Sequence, residues 1–461
     1  MMYVNSLIRH DGCTLFIAKE NGVKSLYVFG DGKGCKSLEG EEINLPGGVL
    51  KRCPLTNANA EVIRGLFPFT RPVSHKGRKF TIGLGDRLGL ASAGHIRLVK
   101  ELDVFPVLAQ QSIRELNLTG RSYDDVLSAA VWAVFQEGYR NGYGADGDHL
   151  KTAEEVRMAL ESGFTMITLD CSEHIGKITD DKLDELYAEI DGSLRTRLEK
   201  EYLNQTFNID DETRLEFTEA ELKRTAIVYL GTVIHATSIY NSLLRGKGVD
   251  FELSVDETSF TTTPQAHYFV SRELQKNGVE IVSLAPRFCG EFQKGIDYRG
   301  DIHAFEKEFK IHAGIAKKLG YKLSVHSGSD KFSVFPIVYR ETDRNVHLKT
   351  AGTNWLEALR VIAAKAPGLF RKIQAEALLN LAEAKKNYHI TEDVNSIPDI
   401  DKLPDIELPS LLDQEDARQV LHVTYGFLLE RFKDEIFAVL NKHEDEYYEA
   451  LAKHIGRHLS G

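Results

Sequence analysis

Several short stretches of this chain set ionisable side chains at spacings that suit proton transfer and metal binding. In Gly144-Ala145-Asp146-Gly147-Asp148-His149 a carboxylate stands beside an imidazole on a backbone loosened by glycine. Asp148 can accept a proton while His149 holds a cation through a neutral nitrogen. The alternative is a solvated turn in which Asp148 caps a helix beginning near Thr152. In Lys322–Lys331 an apolar run ends in His326 and is followed by Ser327-Gly328-Ser329-Asp330-Lys331. His326 suits a metal, the glycine lets a ligand approach the backbone, and Lys331 suits a substrate carboxylate; the alternative is a buried structural histidine. Asp170, after Met166–Leu169, offers another acid, or else a cap for the next turn. In Val255-Asp256-Glu257 strand alternation turns at most one acid inward, and Glu257, further toward the loop, is the expected one. Arg287 and Lys349 close two more apolar runs and are further candidates for an anionic substrate.

These residues need elements to hold them, and the chain supplies eight short apolar runs. They are Thr81–Gly85, Val104–Ala109, Gly142–Ala145, Thr165–Leu169, Phe251–Val255, Ile281–Ala285, Lys322–Val325 and Asn345–Leu348. Each ends in polar or ionisable residues, and helix-compatible stretches separate most of them. Short apolar runs read as parallel strands covered on both faces. Eight strand–helix alternations predict an α/β fold of (β/α)8 TIM-like barrel type, with its chemistry at the carboxyl ends of the strands.

The barrel is expected over residues 79–352. Residues 1–78 read as a β-rich N-terminal element, with Asn21-Gly22 as a hairpin turn. A helical insertion is expected over 175–245, opening its second helix on a Thr218/Glu221 capping box. It is expected to protrude over the site or toward a second subunit, which leaves room for a homo-oligomer. Residues 353–461 read as a helical extension.

Composition narrows the function. A net charge of −11 argues against a nucleic-acid surface. No apolar run approaches the ~20 residues of a membrane span, and Met1–Gly12 lacks a secretion-signal pattern. Five scattered cysteines without a CxxC pair favour free thiols and a cytoplasmic location. Gly30-Asp31-Gly32-Lys33-Gly34 lacks the spacing of a dinucleotide loop and reads as a turn, so no NAD site is expected. His-Glu-x-x-His, Gly-x-Ser-x-Gly and Walker patterns are also missing.

Taken in order, Gly-Ala-Asp-Gly-Asp-His (144–149), Thr-Leu-Asp-Cys-Ser-Glu-His (168–174), Val-Asp-Glu-Thr (255–258), Leu-Ala-Pro-Arg-Phe-Cys-Gly-Glu-Phe-Gln-Lys-Gly (284–295), His-Ser-Gly-Ser-Asp-Lys-Phe-Ser (326–333) and His-Leu-Lys-Thr-Ala-Gly-Thr (347–353) resemble the tagaturonate epimerase family. The resemblance implies interconversion of D-tagaturonate and D-fructuronate in hexuronate breakdown, with a divalent cation such as Zn, Mn, Ni or Co. It implies Asp148 as proton acceptor, Glu257 as proton donor, and His149, His326 and Gln293 as metal ligands.

The two ketouronates differ at a hydroxyl-bearing carbon β to the ketone, whose hydrogen the carbonyl does not acidify. Simple enolisation therefore cannot invert it. Oxidation and re-reduction would need a nicotinamide; retro-aldol cleavage followed by re-addition needs a base and stabilisation of the carbanion fragment. Rival readings are a Schiff-base aldolase using Lys331 or Lys349, a metal-dependent aldose–ketose isomerase, and a non-catalytic sugar-acid binder.

Overall fold

The computed structural model describes all residues of the chain except Gly47, Asn387 and Gly461. Strands β1 (Ile8–His10), β2 (Cys13–Glu20), β3 (Val23–Phe29), β4 (Glu41–Leu45) and β5 (Gly48–Pro54) form an antiparallel sheet in the order β1-β2-β3-β5-β4. Asn21 and Gly22 join Glu20 to its partner Val23 with φ of 50° and 82°, the left-handed pair that matches the twist of a two-residue hairpin.

Ten strands follow. They are β6 (Phe80–Gly83), β7 (Phe105–Ser112), β8 (Gly144–Leu150), β9 (Met166–Asp170), a separate hairpin of β10 (Thr206–Asn208) and β11 (Arg214–Glu216), and then β12 (Asp250–Val255), β13 (Ser283–Pro286), β14 (Lys322–Val325) and β15 (Val346–Lys349). All but the hairpin close into one parallel barrel, in which β9 pairs with β12 and β15 returns to β6. Each of the eight expected runs carries one of these strands. The third differs in extent: β8 runs on through Asp148 and His149, past a register shift against β9 between Gly147 and Leu150. Thr152, with Glu155, caps the following helix, which leaves Asp148 free of that task.

The barrel interior is polar. Alternation turns every second side chain inward, and the inward set includes Thr81, Asp146, Thr168, Glu252, Lys322, His347 and Lys349, all buried. The outward set packs on the helices, as Phe251 does on Tyr240. The amino end is closed by the lead-in segment, where Ser74 Oγ and the His75 backbone N–H both donate to Asp250 at 2.6 Å.

The helical insertion lies within the expected span 175–245 but is smaller than expected. The capping box at Thr218 is present, but the helix it opens, Glu219–Ile239, packs beside Pro264–Lys276 as a wall helix of the barrel. With the turn that follows, Glu219–Leu244 is long and apolar enough to cross a membrane by length and composition, yet half of it is buried in the fold. Within 175–245 the helices Leu183–Ala188 and Gly192–Tyr202 and the hairpin β10–β11 are added to the barrel. Arg197 and Tyr202 bind Glu273 at 2.7 and 2.8 Å, which fixes this group to the outer wall of the barrel.

After β15 the chain is helical. Helix Glu444–Ser460 packs on Ser92–Val99 and Thr353–Lys365, and Trp355 Nε1 donates to the Leu421 carbonyl at 2.8 Å. Glu444 accepts from Tyr3 at 2.9 Å and Lys24 at 2.8 Å, tying the last helix to the N-terminal sheet.

Candidate active site

A cavity of about 630 Å³ opens at the carboxyl ends of the barrel strands. Its floor is built by alternation. Asp146 and Asp148, two apart on β8, and Glu252 on β12 all point at Lys349 on β15. The ammonium lies 2.9, 2.7 and 2.9 Å from their oxygens, and Thr168 Oγ1 is 2.5 Å away. Glu252 also accepts from Ser283 Oγ at 2.5 Å.

Two imidazoles stand above this floor. His149 Nδ1 lies 2.7 Å from Asp148 Oδ1; His326 Nε2 lies 2.8 Å from Glu252 Oε1, and His326 Nδ1 lies 3.2 Å from Asp256 Oδ1. The rings are 4.8 Å apart. Both sit where the backbone bends sharply: His149 has φ of 54° and Ser327 φ of 49°, conformations costly for non-glycine residues and concentrated at functional sites.

The charges are strongly coupled. Burial disfavours ionisation of Asp148, but Lys349 and His149 outweigh it and hold the carboxyl well below its ordinary range. Burial likewise opposes charge on His149, but the Asp148 carboxylate reverses this and lifts the imidazole to about 10. His326 is raised in the same way, against burial, by Asp256 and Glu252. Asp146 is pushed up to about 6, chiefly by burial.

His149, His326 and Asp256 each offer a ligand atom within 4.8 Å of the others. Two imidazoles and a carboxylate are a fitting donor set for a borderline divalent cation. Binding it would displace the protons that the imidazoles now hold among the acids.

The expected site residues divide into groups. Asp148, His149, His326, Lys349, Asp170, Glu257, Arg287 and Gln293 all line the cavity. Glu257 is exposed, and its charge acts on Arg114 and His149. Asp170 accepts from the Ser172 backbone at 2.8 Å, so it caps a turn as well as facing the cavity. Gln293 Oε1 is occupied by the Thr391 backbone N–H, the Thr391 hydroxyl and Gln419 Nε2 at 2.8–3.1 Å. The residue found beside the two histidines is Asp256.

Lys331 lies outside the cavity lining. It is fully buried and donates to the carbonyls of Gln293, Ile296 and Ser329 at 2.6–3.0 Å, a structural task that leaves no donor for a substrate. Neither does the 175–245 segment cover the site, since it contributes no lining residue. That role falls to Tyr388, His389 and His422 of the C-terminal extension. Among residues the sequence reading passed over, Asp146 and Glu252 were signalled by polar side chains at i, i+2 within otherwise apolar strands. His422 carried no local signal.

Known proteins match the chain over nearly its whole length. The tagaturonate epimerase family matches residues 3–461. A tagaturonate/fructuronate epimerase of Thermotoga maritima is 41% identical over 469 residues, spanning 99% of this chain and 96% of that protein. The crystal structure of a fructuronate-tagaturonate epimerase from Cohnella laeviribosi with one glycerol superposes with a TM-score of 0.97 at 47% identity, covering 99% of this chain and 95% of that one. Its native form gives the same score and identity over 100% and 96%. The chain belongs to the tagaturonate epimerase family.

Proposed function

We propose that this epimerase interconverts D-tagaturonate and D-fructuronate by retro-aldol cleavage and re-addition, with His149, His326 and Asp256 holding a divalent cation. The observation that carries the reading is the convergence of these three side chains beside Asp148 in the barrel mouth. When bound, the cation supplies Lewis acidity toward the ketone of the substrate.

The rest belongs to the chain. A carboxylate, Asp148 or Glu257 according to which face of the substrate reacts, takes the proton of the β-hydroxyl. The oxygen becomes a carbonyl, the bond between the α and β carbons breaks, and its electron pair stays on the ketone fragment. The aldehyde fragment turns over, the bond reforms on its other face, and the opposite carboxylate returns the proton. Lys349, held by three acids and raised well above its ordinary value against the pull of burial, balances the charge of Asp148 and Glu252. Its protonation disfavours the Schiff-base alternative, which needs a free amine. The five free thiols fit a cytoplasmic enzyme.

The test uses enzyme stripped of metal and assayed on D-tagaturonate with single cations restored. Restored turnover, together with trapping of a three-carbon aldehyde, supports the mechanism. Obligate dependence on NAD, or solvent deuterium entering only the carbon next to the ketone, refutes it. Substituting His149→Ala or His326→Ala abolishes metal retention, whereas Asp148→Asn retains metal and loses turnover.

A further inference from the structure

One end of the cavity is lined by polar groups that the mechanism above does not use. His422, from the helix Glu415–Val423, is 1% exposed, yet neither ring nitrogen has a hydrogen-bond partner among the described residues. The ring lies directly against backbone: a Cβ on Gly352 would fall 2.0 Å from its Cε1, and one on Gly295 would fall 3.3 Å from its Nδ1. Two glycines thus make room for an imidazole whose polar atoms bind nothing among the described residues, whereas buried polar groups normally have a partner.

The charges that act on it are the cations Arg87, Lys294 and Arg418 and the acid Asp330, which Arg418 already pairs at 2.6 Å. Arg87, 4% exposed, is stacked 3.8 Å over the Tyr425 ring and gives Nε to Glu115 at 2.9 Å, but its Nη1 has no partner among the described residues. Lys294 donates to a neutral group, Ser327 Oγ, at 2.8 Å. Burial holds the His422 imidazole neutral, and the charges of Arg87 and Lys294 add to that effect. A neutral imidazole offers one donor and one acceptor.

We infer that Arg87, Lys294 and His422 form the subsite for the substrate carboxylate. The inference rests on the ketouronate reading of the site. A carboxylate placed there accepts from Arg87 Nη1, from the Lys294 ammonium and from the His422 N–H. Arg287 also lines the cavity, but it is only partly buried, so water screens its charge more than that of Arg87. A carboxylate anchored here also keeps the three-carbon aldehyde tethered by one end while its carbonyl turns over.

The test is calorimetric binding of D-mannonate, a six-carbon acid without a ketone, to the full-length enzyme, compared with D-mannitol, which lacks the carboxylate. Steady-state kinetics on D-tagaturonate run in parallel. His422→Phe keeps the ring volume and removes no internal hydrogen bond. Arg87→Met is paired with Glu115→Leu, so that no buried acid is left alone. In each variant D-mannonate binding is expected to weaken about 100-fold, as for loss of a buried charged hydrogen bond, with KM rising more than kcat falls and D-mannitol binding unchanged. Unchanged D-mannonate binding in both variants overturns the inference, as does an equal loss for acid and alcohol, or a loss confined to Arg287→Met. Acid binding that depends on these residues in an enzyme that does not epimerise D-tagaturonate would refute the proposed function and leave the subsite standing.

Discussion

At the residue scale the site is a set of acids and bases that fix one another's protonation. Asp148 is held ionised against burial by Lys349 and His149, so Asp148→Asn is expected to lower kcat by about 10²–10⁴, measured by steady-state kinetics on enzyme shown to be folded. Lys331 is the opposite case. Lys331→Met strands three buried carbonyls and is expected to cost about 3 kcal/mol or more in urea unfolding, while KM for D-tagaturonate moves little. The sequence shows the ion-pairing chemistry of 148, 149 and 326 because type and spacing are local. It gives no sign of where Lys331 points, because that depends on carbonyls of a loop more than thirty residues earlier in the chain. The choice between Asp256 and Glu257 has the same cause. Asp256 is drawn to His326 by a contact across strands, which alternation along one strand cannot report.

At the element scale the eight strands were legible from their apolar runs. Their polar inner face was legible as well, once every second residue of β8, β9, β12 and β15 is read as a set. The added part of the insertion was overestimated because helical spacing marks a barrel-wall helix and an added helix alike, and packing on Pro264–Lys276 tells them apart. The loop after β14 shows what a local reading misses. Asp330, in left-handed backbone with φ of 65°, is gripped by Arg418 at 2.6 Å and by His454, while its N–H donates to His458 at 3.0 Å. Asp330, His454 and His458 thus resemble a metal cluster but serve as a clamp that holds the segment following His326. Asp330→Asn leaves Arg418 without its counter-ion and is expected to cost about 3–5 kcal/mol in urea unfolding and to raise KM for D-tagaturonate.

At the scale of the whole molecule, Glu444 joins the first sheet to the last helix. Burial opposes its charge, but Lys24 and Lys19 prevail and bring the carboxyl down to about 2. A folded-state value below the unfolded one means stability that is present above the unfolded pKa near 4.5 and lost as pH falls toward 2. Glu444→Gln is therefore expected to melt well below the wild type at neutral pH, with the gap closing under acid, as thermal scans across pH would record. That same arrangement constrains how the enzyme matures during synthesis. Every acid and imidazole of the reaction centre precedes residue 349 in the chain, yet the clamp on the loop beside His326 is made by residues 418, 454 and 458. A chain that has not yet reached residue 458 would carry that chemistry without the clamp, and competence is expected to follow the folding of those later helices.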